Sequence, residues 1–292
     1  MQCGMCREEA VTFQQYSGKY LCRRHFIEDI EAKAKHAIRN RGWLKAGDHI
    51  GVDFSGDGAS TTLLFFLHHI FSRRKDIRIT AVITGNSCDE DQANGCTIEF
   101  ARNLEIPVIR VSLPDMSGFT THGDTSPESV TGVHGAALRS GILDKVGKVH
   151  GITKIASGFC LDDEALSILT DVLRGEAGHI FTRRQENRCD RLTVITPFIG
   201  VSKDDIALYV RERGLRPCCP SRGSGPDAFE NEVRAMLDTY TGRHPSTKYS
   251  LMHLGETISD TGAAAGIPPD GSARCESPVS DHDSCRFPEE VS

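Results

Sequence analysis

The sequence has no long hydrophobic run, no excess of positive charge and few aromatic residues. Its most apolar stretch, Thr62–Ile70, already contains His68 and His69. That is far short of the ~20 apolar residues a transmembrane helix needs, so no membrane segment and no membrane partner are expected. Lys and Arg number 34 against 40 Asp and Glu, a formal net charge of -6. Such a balance excludes a globally basic nucleic-acid surface and leaves only local basic patches. The chain opens on cysteines and charges rather than an apolar leader, so a cytoplasmic location is expected. The 11 cysteines then read as reduced thiols and metal ligands rather than a disulfide framework. A G-x4-G-K-[ST] phosphate loop is missing, as is any repeat of solenoid length.

What remains is an ordinary globular composition over 292 residues, with 38% hydrophobic and 25% charged. That length suits one large domain with appendages. Residues 26–41 predict an amphipathic helix, with Phe26, Ile30, Ala34, Ala37 and Ile38 on one side. Strand-like runs at 49–54, 77–83, 107–112, 153–157 and 192–196 alternate with helix-like segments at 60–74, 92–104, 133–147 and 162–174. Further helices fit 203–213 and 227–241. The alternation predicts an α/β fold, a Rossmann-like parallel sheet covered on both faces. The expected organisation is a knuckle over 1–25, a linking helix over 26–48, an α/β nucleotide-binding domain over 49–200 and a helical extension over 201–254. From 255 to 292, Gly, Ser, Pro and Asp dominate and periodicity vanishes, which predicts a disordered tail.

Four residues stand at metal-ligand spacing. Cys3-x2-Cys6 is followed, after fifteen residues, by Cys22-x2-His25. Zinc takes four thiolate and imidazole ligands in a tetrahedron, and each short pair supplies two of them. A segment this small cannot be held by burial alone, so a structural zinc would supply its folding energy.

A glycine-rich turn, Ser55-Gly56-Asp57-Gly58-Ala59-Ser60, separates a predicted strand from a predicted helix. Two readings fit it. Backbone N–H groups of Ser55, Gly56, Gly58 and Ser60 could cradle an anion such as a nucleotide phosphate. Alternatively it is a tight βα turn in which Ser60 caps the helix.

With these motifs in place, the chain resembles the PP-loop family of tRNA 2-thiolation enzymes, in the branch of the archaeal and eukaryotic wobble-uridine thiolases and their thermophile relatives. The resemblance is collinear to about residue 254. It runs through the knuckle and the 55–60 turn. It continues with Ser157-Gly158-Phe159-Cys160-Leu161-Asp162-Asp163-Glu164-Ala165 and Leu173-Arg174-Gly175-Glu176, then Thr196-Pro197-Phe198, Gly214-Leu215 and Cys219-Pro220. It implies a PP-loop ATP pyrophosphatase that adenylates C2 of a tRNA uridine or cytidine and then transfers sulfur. ATP would sit on the 55–60 turn, magnesium would be positioned by Asp162 and Asp163 as catalytic acids, and tRNA, a sulfur-carrier protein and a second copy of the chain would be partners. The basic cluster Arg183, Arg184, Arg188 and Arg191 is the candidate tRNA-phosphate contact.

The chain departs from the family at its chemical centre. Asp57 puts a negative charge into the phosphate loop, and Ala59 stands where the family has an acid. The positions of two cluster cysteines hold Glu128 and Thr131. Cys219 matches the third, as a remnant cluster ligand or reactive thiol, and one thiolate does not hold a four-iron cluster, so no iron–sulfur cluster is expected. A second, C-terminal metal site is reduced to Cys275 and Cys285. A rival reading follows from these losses: an inactive paralogue that binds tRNA, nucleotide or a partner. Cys88, Cys96, Cys160 and Cys189 are expected to be isolated packing residues.

Overall fold

A computed structural model describes residues 1–84, 92–111, 132–182, 192–219 and 228–264. Its central sheet is built on β3 (His49–Asp53), a run buried along almost its whole length, as a strand covered on both faces should be. On one side β3 pairs in parallel with β4 (Arg78–Thr84), which pairs with β5 (Val108–Val111). On the other it pairs with β6 (Lys154–Ala156), which pairs with β7 (Thr193–Ile195). The strand order β5-β4-β3-β6-β7 reverses direction at β3/β6. In an open parallel sheet the crevice outside the carboxyl ends of the strands at that reversal is where ligands bind. The expected α/β parallel sheet is therefore present.

Helices α2 (Gly58–Phe71), α3 (Gln92–Asn103), α4 (Gly132–His150) and α5 (Leu161–Arg174) follow β3, β4, β5 and β6 in turn. The main core joins Ile50, Val52 and Phe54 to Leu63, Leu64, Phe66 and Leu67 of α2, all essentially inaccessible. Each such side chain stabilises the fold by about 1.5–3 kcal/mol. Leu21, Phe26, Ile30, Ala34 and Ile38 belong to the same cluster, so α1 (Arg23–Asn40) is welded to the sheet layer.

A second weld is polar. Glu31 of α1, nearly buried, pairs with Arg213 at the end of α7 (Lys203–Arg213) and accepts the Tyr209 hydroxyl at 3.1 Å. Burial raises the Glu31 carboxyl pKa, but Arg213, Lys35 and Tyr209 outweigh it and hold the pKa below its ordinary value. A depressed carboxyl contributes stability that is full above its unfolded pKa and is lost as pH falls through the folded one. Glu31→Ala is expected to cost about 2–4 kcal/mol at pH 7, because it strands a half-buried guanidinium. The loss should shrink toward pH 3, measured as the difference in urea midpoint between variant and parent. An equal loss at both pH values would refute the assignment to charge pairing.

The C-terminal helices differ from expectation. A short helix α6 (Ala177–Thr182), not anticipated from the sequence, follows α5 after Gly175 closes it in the left-handed conformation. α8 spans Ala228–Arg243, and α9 spans Thr247–Ala264. The expectation of irregular chain from residue 255 is corrected as far as Ala264. The small residues that suggested disorder form a packing face. A Cβ on Gly255 would lie 2.5 Å from Ile168 of α5, one on Gly262 would lie 2.6 Å from Phe181 of α6, and Ser259 between them is buried. Residues 265–292, with Cys275 and Cys285, lie outside the described residues.

Candidate functional site

The N-terminal ligands converge. β1 (Thr12–Gln14) and β2 (Lys19–Leu21) form an antiparallel hairpin turned at Gly18. Its end delivers Cys22 as the N-cap of α1, which places His25 in the first helical turn. The other strap is folded back by Cys3 N–H to Glu8 O (2.9 Å) and Gly4 N–H to Tyr20 O (2.8 Å). Cys3 Sγ and Cys22 Sγ lie 3.4 and 3.3 Å from His25 Nδ1, and Cys6 Sγ lies 3.6 Å from Cys22 Sγ. A tetrahedron with zinc–ligand bonds of ~2.0–2.3 Å has edges of about 3.3–3.8 Å, so these four atoms fit one zinc ion. Burial raises the Cys3 thiol pKa, but backbone N–H groups of Met5, Cys22 and Cys6 more than reverse this and bring it to about 6. A thiol so tuned is a ready thiolate ligand.

The second site lies at the strand-order reversal. The loop from β3 into α2 carries Ser55, Gly56, Gly58 and Ser60, and the loop from β6 into α5 carries Asp162 and Asp163 at its helical end. The two loops touch: a Cβ on Gly158 would sit 3.1 Å from Ser60 N. Gly56 adopts φ +81, the left-handed region, and a side chain there would strike Thr97 Cγ2 at 2.3 Å. Ser55 Oγ and Ser60 Oγ are 3.1 Å apart.

The loop supplies its own anion. Asp57 is the N-cap of α2, and its carboxylate accepts the Ser60 N–H at 2.8 Å. The cap expected of Ser60 is thus corrected. Asp57 stands at the start of the first turn, where a short acceptor reaches the third amide and an anion meets the positive end of the helix dipole. A phosphate approaching this turn meets a carboxylate already seated on the Ser60 amide.

The carboxylates of Asp162 and Asp163 are also engaged at every oxygen. Asp162 Oδ2 accepts the Lys203 N–H at 2.7 Å, and its Oδ1 pairs with Lys248 Nζ at 2.7 Å. Asp163 Oδ1 pairs with Lys203 Nζ at 2.7 Å, and its Oδ2 accepts the backbone N–H (3.2 Å) and thiol (3.0 Å) of Cys160. Burial lowers the lysine pKa values, but the facing carboxylates more than restore them, so both ammonium groups stand above their ordinary value. Burial, then Asp163, push the Cys160 thiol well up. It is a neutral donor in a capping box rather than a nucleophile. As arranged, the two acids do not fit an open magnesium site, because two lysines fill the cation's place.

Two further residues gather on the loop. Cys218 N–H and Cys219 N–H both donate to Gly56 O, at 2.8 and 3.0 Å. Cys218 is disulfide-bonded to Cys96 of α3. This corrects the expectation of Cys96 as an isolated packing residue and of wholly reduced thiols. No sequence signal pairs these two, which are 122 residues apart. Lys203 and Lys248 carry no sequence signal as site residues, being distant along the chain from the acids they neutralise. Arg183, Arg184, Arg188 and Arg191, as well as Glu128 and Thr131, lie outside the described residues.

Fold and loop together define a PP-loop-type α/β protein with an N-terminal metal knuckle. A family model described as the N-terminal LIM domain of the 2-thiouridine synthetase TtuA matches residues 2–27. The tRNA 2-thiolation protein NcsA of Haloferax volcanii is 23% identical over 281 residues, covering 89% of this chain and 87% of that one. The cytoplasmic tRNA 2-thiolation protein 1 of Bos taurus is 25% identical over 287 residues, covering 94% and 82%. The structure of the U34-tRNA thiolase NcsA from Methanococcus maripaludis with its [4Fe-4S] cluster superposes with a TM-score of 0.78 at 20% identity, covering 89% of this chain and 87% of that one. Over about nine-tenths of its length the chain is thus similar in sequence to tRNA 2-thiolation proteins, and it shares the fold of one of them. The cluster in that neighbour removes support for the expectation that this chain does without one.

Proposed function

We propose that this protein acts in tRNA 2-thiolation as an ATP pyrophosphatase of the PP-loop type, in the cytoplasm. The C2 oxygen of a tRNA uridine or cytidine attacks the α-phosphate of ATP, and pyrophosphate leaves. A sulfur nucleophile, delivered by a carrier protein, then displaces AMP, which departs with that oxygen. The observation that carries this reading is the 55–60 loop at the strand-order reversal, packed on the 157–163 segment, in a chain collinear with tRNA 2-thiolation proteins over about nine-tenths of its length. Ser55, Gly56, Gly58 and Ser60 would hold the phosphates through their amides, that of Ser60 once Asp57 releases it. Asp162 and Asp163 are assigned as the catalytic acids, acting once Lys203 and Lys248 are drawn off. Arg183, Arg184 and Arg188 would take tRNA phosphates, a homodimer is the working assembly, and the zinc knuckle is structural.

One observation favours a second reading, a non-catalytic relative that binds tRNA, nucleotide or a partner. Asp57 occupies the anion position, and all four oxygens of Asp162 and Asp163 are engaged. The deciding experiment measures AMP release from ATP with magnesium, with and without unmodified tRNA, beside a doubly substituted Asp162→Ala/Asp163→Ala control. AMP that depends on tRNA and disappears in the control is the expected result. Folded, zinc-loaded protein that forms no AMP would sink the enzymatic reading and leave the binding one.

A further inference from the structure

Cys96 lies near the start of α3 and is exposed, whereas Cys218 lies in the segment after α7 and is half-buried. Their Cα atoms are 5.7 Å apart. The two elements they join are the two that grip Gly56. On one side Thr97, the residue after Cys96, stands where a Gly56 side chain would go. On the other, the N–H groups of Cys218 and Cys219 hold the Gly56 carbonyl, with Cys218 Cβ and Cys219 Sγ 3.4 and 3.5 Å from that same point. Thr97, Cys218 and Cys219, from two distant parts of the chain, therefore surround one peptide unit of the 55–60 loop.

We propose that Cys96 and Cys218 form a reversible dithiol–disulfide site that clamps the 55–60 loop through the carbonyl of Gly56. The chemistry is open on one side only. A dithiol reductant can approach the disulfide from the side of Cys96, an exposed residue. Its first thiolate attacks there, the Cys96–Cys218 bond breaks, and Cys218 leaves as a thiolate and is protonated. The reductant's second thiolate attacks its own sulfur in the mixed disulfide, closing the reductant's disulfide and releasing Cys96, which is protonated in turn. Two electrons and two protons pass from the dithiol to the protein, and a disulfide oxidant of the same class runs the exchange backward. An accessible disulfide is the kind that exchanges rather than the kind that merely braces a fold. When it opens, the segment bearing Cys218 and Cys219 loses its covalent tie to α3, and its two hydrogen bonds to Gly56 must hold the loop without it. The proposal concerns the order of the loop and does not depend on whether the loop turns over ATP.

The test uses the full-length, zinc-loaded protein equilibrated with reduced or oxidised dithiothreitol. Intact mass after alkylation should show two fewer modified thiols in the oxidised form, with the zinc content unchanged. Hydrogen exchange at the amides of residues 56–60 should be about fivefold faster in the reduced form, a local opening that leaves the global fold intact. Cys96→Ser, at an exposed position, and Cys218→Ser should exchange at the fast rate under both conditions, while Cys219→Ser should still form the disulfide. Alkylation of Cys96 and Cys218 in both conditions, a bond through Cys219 in place of Cys218, or loop exchange indifferent to reduction would each overturn the proposal. Neither readout uses nucleotide turnover, so failure here is distinct from failure to form AMP.

Discussion

Cys22→Ser is expected to abolish stoichiometric zinc binding and to melt residues 1–22. In a knuckle of this size, the apparent binding free energy of a structural zinc, about 10–16 kcal/mol, is effectively the folding energy. Cys22 is the most costly ligand to lose because it serves three purposes. It would hold the metal together with Cys3, Cys6 and His25, it opens α1 as the N-cap, and it follows Leu21, which is buried in the main core. The damage should therefore spread beyond the knuckle, by about 2–4 kcal/mol from the loss of Leu21 packing and of the fixed entry into α1. Elemental analysis should give one zinc per chain in the parent and none in the variant, and thermal unfolding should begin several degrees lower. A strong chelator should produce the same two changes in the parent. A variant that kept its zinc, or that lost it with no change in melting, would remove the structural role assigned to the site.

Asp57→Asn should raise the affinity for ATP at least tenfold. The substitution keeps a good capping side chain on the Ser60 amide and deletes only the charge. A carboxylate about 4–6 Å from a phosphate oxygen repels it by roughly 3–4 kcal/mol at an effective dielectric of 20, before salt screening. Tenfold corresponds to about 1.4 kcal/mol, a modest share of that repulsion. Titration calorimetry on the two proteins separates the outcomes, and thermal melting confirms that the cap survives. Asp57→Ala is the useful companion, since it loses charge and cap together and should cost about 1 kcal/mol of stability. Equal ATP affinity in Asp57→Asn and parent would mean that phosphate does not approach this turn.

Much of the architecture could be read from local pattern. The β-branched run at 77–83 and the apolar run at 49–54 became β4 and β3 within a residue or so, because a buried parallel strand has no alternative use for such residues. The knuckle was legible because zinc imposes spacing, and spacing survives in sequence. The capping of the phosphate turn was not. Asp57 and Ser60 are both good caps three residues apart, and only the start of the helix at Gly58 decides between them. Helix α9 was missed for a different reason. Gly255, Ser259 and Gly262 recur at helical intervals, but small residues carry no hydrophobic signal, and what they mark is how closely another helix approaches. The partners of Asp162, Asp163 and Cys96 are tertiary facts, set by which strands lie side by side, and nothing near those residues announces them.

The lysines that neutralise the two acids arrive late in the chain. The Lys203 ammonium pairs with Asp163, 40 residues before it, and that of Lys248 with Asp162 at a separation of 86. A polypeptide emerging from a ribosome would complete β3, β6 and the first turn of α5 well before either cation exists, leaving adjacent carboxylates at the heart of the sheet without counter-charge. Domains tend to fold as units as they emerge, and here the electrical accounts of the unit close only when α9 has been made. The last helix thus brings, in Lys248, the final counter-charge for the acids at the end of β6.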